Sequence, residues 1–134
     1  MARTVVVPRA LVANGNLTGA AGATTIDAAL VTAGVTVNAV EPERTLIRVT
    51  NTEASTNVVT VRAGDKPPAE AAGQGDLAVT VAASTGVQYI GPFESGRFLK
   101  RVDDTGLVKS GSLFIDFETG MTGAIDVLLL PRAT

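Results

Sequence analysis

Apolar residues in this chain recur at every second position, in short runs cut off by glycine, proline or small polar residues. Residues 112–118 (SLFIDFE) carry the pattern most clearly. Leu113, Ile115 and Phe117 fall on one face, Phe114 and Asp116 on the other. Successive side chains of an extended strand point to opposite faces, so such a run buries one face and wets the other; a helix would need spacings of three and four. The same alternation appears in residues 44–51 (RTLIRVTN), with Ile47 and Val49 against Arg48 and Thr50, and in 58–62, where Val59 and Val61 point inward. It returns at Leu77, Val79 and Val81, at Val87 and Tyr89 on the expected inner face, and in 124–130 before Pro131.

Fourteen glycines and six prolines divide the chain at the spacing of a sandwich or barrel. Residues 44–51 and 58–62, joined by the polar stretch Glu53-Ala54-Ser55-Thr56-Asn57, are expected to pair as a β-hairpin. The expected fold is all-β: a single antiparallel β-sandwich, with jelly-roll and small-barrel arrangements open because strand order is not written in the pattern. At 134 residues the chain is long enough for one core without covalent staples.

Before this body comes a different composition. Thr4 to Val12 holds three adjacent valines and a proline, and residues 13–24 (ANGNLTGAAGAT) form a flexible connection. Residues 1–24 are therefore set apart as an extended arm or edge strand plus spacer, and 25–134 as the sandwich domain. Pro8 lacks an N–H and restricts a strand here to an edge or bulge. Two readings stay open: a first strand of the sheet, or an arm that pairs with a neighbour's edge. Val5, Val6, Val7, Arg9 and Leu11 are its candidate contact residues. Residues 25–33 fit either one helical turn stopped by Gly34 or extended chain, and 66–75 (KPPAEAAGQG) reads as a surface loop.

Composition excludes much chemistry. Histidine, cysteine and tryptophan are absent. The commonest general base and metal ligand goes with the first, disulfides and thiolate sites with the second, and the best stacking platform with the third. Ser95 has no histidine to activate it, which leaves only a formal pairing with Lys100 or Lys109. Asp103-Asp104-Thr105-Gly106 lacks the alternation of a calcium loop, Glu41-Pro42-Glu43 reads as a charged corner, and Gly73-Gln74-Gly75 lacks the Lys-Ser/Thr of a phosphate loop. No catalysis, cofactor or metal is expected. The net charge of −2, with Lys100-Arg101 offset by Asp103-Asp104, argues against a nucleic-acid partner. No run approaches the ~20 apolar residues of a membrane span, and Pro8 and Arg9 break the short apolar start that imitates a signal peptide.

Residues 90–99 (IGPFESGRFL) hold two of the four phenylalanines, Phe93 and Phe98, with Glu94 and Arg97 three apart. One reading is a corner whose aromatics cap the core beside a weak Glu94–Arg97 surface pair. The other is a contact surface anchored by Phe93, Arg97 and Phe98.

Several stretches resemble small structural proteins encoded near the capsid genes of tailed bacteriophages, particularly those of actinobacterial hosts. They are Arg48-Val49-Thr50-Asn51-Thr52, Ala63-Gly64-Asp65-Lys66-Pro67-Pro68-Ala69 and Gly73-Gln74-Gly75-Asp76-Leu77. Further along come Ile90-Gly91-Pro92-Phe93-Glu94-Ser95-Gly96-Arg97-Phe98, Asp116-Phe117-Glu118-Thr119-Gly120 and Leu130-Pro131-Arg132, and the opening Ala2-Arg3-Thr4-Val5-Val6 is also similar. The resemblance implies a head decoration or minor capsid protein, made in the host cytoplasm and bound to the capsid exterior. Its partners would be the major capsid protein and itself, as a homo-oligomer such as a trimer. The family pattern transfers no functional residue. Two rival expectations are another virion part, such as a head–tail connector or tail protein, and a non-catalytic carbohydrate-binding β-sandwich.

Overall fold

The computed structural model describes residues 3–16, 23–38, 41–64, 74–102 and 108–131, with the side chains at 95–96, 100–102 and 108–110 outside that description. The loop expected at 66–75 falls almost wholly outside these residues. So do 17–22 of the N-terminal connection, the Asp103-Asp104 turn, and the side chains of Ser95, Lys100 and Lys109.

The described residues form two sheets around one core. The first contains β1 (Thr4–Val5), β4 (Val35–Asn38), β6 (Asn57–Val61), β7 (Leu77–Val81), β9 (Lys100–Val102) and β10 (Val108–Phe117), in the order β1-β4-β10-β6-β7 with β9 also on β10. The second contains β2 (Arg9–Ala10), β3 (Thr24–Ile26), β5 (Thr45–Asn51), β8 (Gly86–Ile90) and β11 (Gly123–Leu129), in the order β2-β11-β5-β8 with β3 also on β11. The fold is the expected all-β sandwich. Its sheets are mixed rather than purely antiparallel, because the N-terminal segment runs parallel to β4 in one sheet and to β11 in the other.

Alternation builds the core directly. Ile47 and Val49 of β5, with Ile125 and Val127 of β11, face Val59 and Val61 of β6 and Leu113 and Ile115 of β10; all eight are fully buried in one cluster. At about 25 cal/mol per Å² of apolar surface removed from water, each is worth roughly 1.5–3 kcal/mol against leaving it exposed.

β5 and β6 do not form a hairpin. They lie in different sheets, joined by an arch over residues 52–56. A hairpin and an arch satisfy the same alternation, since in either case one face of each strand is buried. Side-chain chemistry and the other strands decide between them. Asn51 and Asn57 are buried at the two feet of the arch, and the Asn51 amide donates to the carbonyls of Ser55, Val81 and Ala82 at 3.0, 3.3 and 3.2 Å. Both edges of β5 are taken by the distant strands β11 and β8. β10 and β11 are joined by a second arch, where Met121 plugs the core, and Thr52 N–H donates to Thr122 O at 3.0 Å to tie the arches together.

β8 inverts the expected face. Its register, Tyr89↔Arg48 and Val87↔Thr50, puts Val87 and Tyr89 on the outer side, 40% and 61% exposed, while Gly86 and Ile90 are buried. A shift of one residue in strand pairing exchanges the faces, and a five-residue strand with apolar residues of both parities leaves that shift open.

Residues 24–33 are both extended and helical. β3 is followed by α1 (Ala28–Ala33), whose N-cap Asp27 accepts from Leu30 N–H at 2.9 Å. Gly34 ends it at φ 76°, its N–H donating to Leu30 O at 2.8 Å.

Candidate interaction surface

The N-terminal segment crosses from one sheet to the other along a single side of the sandwich. Thr4 N–H donates to Gly34 O at 2.9 Å and Val6 N–H to Thr36 O at 3.1 Å, which places β1 on the edge of β4. Pro8 occupies the gap between sheets, where no ladder donor is needed. Arg9 and Ala10 then lie beside Leu128 and Leu129, and Leu11 N–H donates to Leu129 O at 2.8 Å. Alternation along this path sends Val6 into the core at 5% exposure and leaves Val5 and Val7 outside at 55% and 75%.

Two arginine–aspartate pairs fasten the segment. Arg3 Nη1 donates to Asp116 Oδ1 at 2.7 Å and to the carbonyls of Val35 and Ile115, and its guanidinium lies 4.4 Å from the Phe114 ring centroid. Asp116 also faces Arg62 at 3.5 Å. On the second sheet Arg9 grips Asp126 through both carboxylate oxygens, Nε to Oδ1 at 2.9 Å and Nη2 to Oδ2. Asp126 is only 3% exposed although it stands on the outer face of its sheet. The hydrogen bond that Arg9 donates to Asp126, opposed by burial and reinforced by the carboxylate's charge, raises the Arg9 pKa above its ordinary value.

Two hollows lie on the outer face of the second sheet. One, of about 450 Å³, is lined by Arg9, Leu11, Asn16, Arg48, Tyr89 and Leu128 among others. The other, of about 690 Å³, is lined by Arg48 with small residues such as Thr25, Thr50 and Ala124. Arg48 belongs to both.

The candidate contact residues divide between surface and interior. Val5 and Val7 are displayed, Leu11 is half-buried at the rim of the smaller hollow, and Arg9 is committed to Asp126. Val6, Phe93 and Phe98 have their side chains in the core, so they offer no surface to a partner. Phe93 and Phe98 pack edge to face with centroids 5.4 Å apart. Arg97 turns away from Glu94 and donates to the carbonyls of Gly75 and Asp76, both at 3.2 Å, while its guanidinium lies over Phe98. The 90–99 turn is thus a corner of the core, tied to the charged turn at Pro42–Arg44 by Phe93 N–H to Pro42 O at 2.9 Å. Sequence reasoning overlooked the display of Val12 and of β8, and the partnership of Arg3 and Arg9 with aspartates more than a hundred positions away. Only the residue types hinted at the latter.

Among the described residues no three Asp, Glu, His or Cys side chains gather as a metal site, and no helix is long and apolar enough to cross a membrane. What the described surface offers is apolar display on a hydrogen-bonded sandwich. No protein-family model, no curated protein and no solved structure matches the chain.

Proposed function

We propose that this protein is a non-catalytic structural part of a tailed-bacteriophage head, bound to the outside of the assembled shell and reinforcing it. The observation that carries this reading is the row of exposed valines, Val5, Val7 and Val12, on a segment fastened to the sandwich by Arg3 and Arg9. Apolar residues held in a fixed geometry lose little further freedom on docking, which favours binding. The resemblance of the sequence to head decoration and minor capsid proteins points the same way. A net charge of −2 suits an outer face better than contact with packaged DNA.

The partner would be the major capsid protein. Each copy would contribute a modest contact, and engagement of two or more shell subunits would raise overall affinity by roughly 10²–10⁴. Because the ligand binds only the assembled form, binding would stabilise assembly by mass action. The test is to mix the pure protein with undecorated shells and image the product. Density at regular outer lattice positions is expected, and it should be lost with V5D/V7D. Unaltered occupancy by V5D/V7D would remove the valine row from the mechanism. Virions purified from infected cells without this polypeptide would defeat the reading itself. A copy number of about a dozen rather than hundreds would favour a ring-forming connector instead.

One observation favours a second reading, a carbohydrate-binding sandwich. Tyr89, 61% exposed, stands at the rim of the hollow that also holds Asn16 and Arg48. Absence of tryptophan weighs against it, and a glycan-binding screen separates the two.

A further inference from the structure

We infer that the outer edge of β8, which no other strand pairs among the described residues, is a pairing site for a second copy of this chain, whose own β8 adds antiparallel and continues the second sheet across a twofold axis. The inference is independent of the virion reading.

The two sides of the sandwich treat their edges differently. On the N-terminal side, edge strands β1 and β2 are two residues each, with Pro8 between them and the Arg3 and Arg9 ion pairs at either end. Short strands, proline and charge are the devices that stop one sheet edge from recruiting another. On the opposite side β8 ends the second sheet with five residues, Gly86–Ile90, that include no charge and no proline. Val87, Gln88 and Tyr89 are exposed in succession. Gln88 shares a face with fully buried Val49 and is nevertheless open, so among the described residues the middle of the strand, Val87 to Tyr89, stands at the lip of the sandwich, while Gly86 and Ile90 at its ends are buried. An exposed strand edge offers its backbone N–H and C=O groups to any chain able to continue the ladder.

The sequence of β8 selects a second copy as that chain. With the axis at Gln88, Val87 pairs with Tyr89 and Gln88 with itself, which uses all three exposed residues of the strand and leaves buried Gly86 and Ile90 opposite each other at its ends. Val87 and Tyr89 of both copies then form one apolar cluster on the outer face, and no charge within the strands opposes its twin. An axis at Tyr89 would draw Pro92, which has no N–H, into the ladder. An axis at Val87 would draw in Ser84, whose φ of 65° leaves extended geometry. Only the Gln88 register is free of both faults, and a twofold interface is self-complementary by nature.

Sedimentation of the pure protein should show a concentration-dependent monomer–dimer equilibrium. V87K/Y89K changes two exposed side chains, so it should keep the native circular dichroism spectrum while abolishing the dimer. Because the chain has no cysteine, single substitutions report the register. Q88C should oxidise to a disulfide-linked dimer, and V87C mixed with Y89C should link mainly to each other. A78C, on the exposed part of neighbouring β7, should remain unlinked. A single monomeric species at every soluble concentration would overturn the inference, as would a dimer that survives V87K/Y89K or one in which Q88C fails to link.

Discussion

Asn51 concentrates several roles in one side chain. Its Nδ2 donates to three carbonyls, and its Oδ1 accepts from Glu53 N–H at 3.0 Å, all within a site it fills with 0% exposure. Truncation leaves buried acceptors without a donor, at a cost of about 1–3 kcal/mol each in unfavourable cases. N51A is therefore expected to lower unfolding free energy by roughly 2–4 kcal/mol in urea titration, with circular dichroism unchanged in the folded baseline. Gly123 is a second sensitive position. Its φ of 133° suits glycine alone, and a Cβ there would run into the carbonyl oxygen of Thr50. G123A should express poorly or melt well below the parent in a thermal scan, whereas G75A, where a Cβ meets only open space, should lose far less despite its positive φ. The Arg9 pair has its own pH behaviour. A folded pKa raised above the unfolded one contributes stability that is fully present below the unfolded value and is lost only as pH climbs through the folded value. For Arg9 both lie in strongly alkaline solution, so raising the pH from neutral through the mildly alkaline range should leave its contribution unchanged.

At the scale of elements, the N-terminal segment behaves as a clasp. It supplies Val6 to the core and backbone partners to β4 and β11, while the arginines at its two ends hold it down. Removing the arginines weakens the fastening and leaves the core residues in place. R3A/R9A should speed amide exchange at residues 4–11 by about tenfold or more while leaving β5 and β10 protected, as read by hydrogen exchange. Deleting residues 1–12 is a different experiment, because it also empties the Val6 site and bares the edges of β4 and β11. Loss of shell binding in that variant would not distinguish a gripping element from a damaged fold, which is why exposed Val5 and Val7 are the better targets. The arches obey the same logic. Residues 52–56 and 118–122 each carry the chain from one sheet to the other and are tied together by Thr52 and Thr122, whose hydroxyls are 2.9 Å apart.

Across the whole molecule, stability comes from one apolar core and two hydrogen-bonded sheets. With no cysteine, reductant should leave the melting temperature unchanged, and the same is expected of a chelator in calorimetry. A shift with chelator would reveal a bound metal that the described residues give no reason to expect. Because neighbouring strands are distant in sequence, with β11 beside β5 and β10 beside β4, loop closure must precede most favourable contacts. Folding should accordingly be slow for the chain length.

Much of this architecture was legible in advance, and the boundary between what was and was not is physical. The inward faces of β5, β6, β7 and β10 follow from alternation, because which side of a strand a residue occupies is a local property repeated every second position. Pro8 marked an edge or bulge because a missing N–H excludes an interior strand wherever the chain goes, whereas 25–33 stayed open between extended chain and a helical turn stopped by Gly34, since so short a run fits both. Which sheet each strand joins was not legible. β5 and β6 bury the same faces whether hairpin or arch, and Asp116 and Asp126 become the partners of Arg3 and Arg9 only once the chain has returned across the molecule. The surface of β8 depended on a register that five residues leave open. Face is decided residue by residue along the chain. Partnership is decided by energies between segments far apart in it, and those exist only in the folded state.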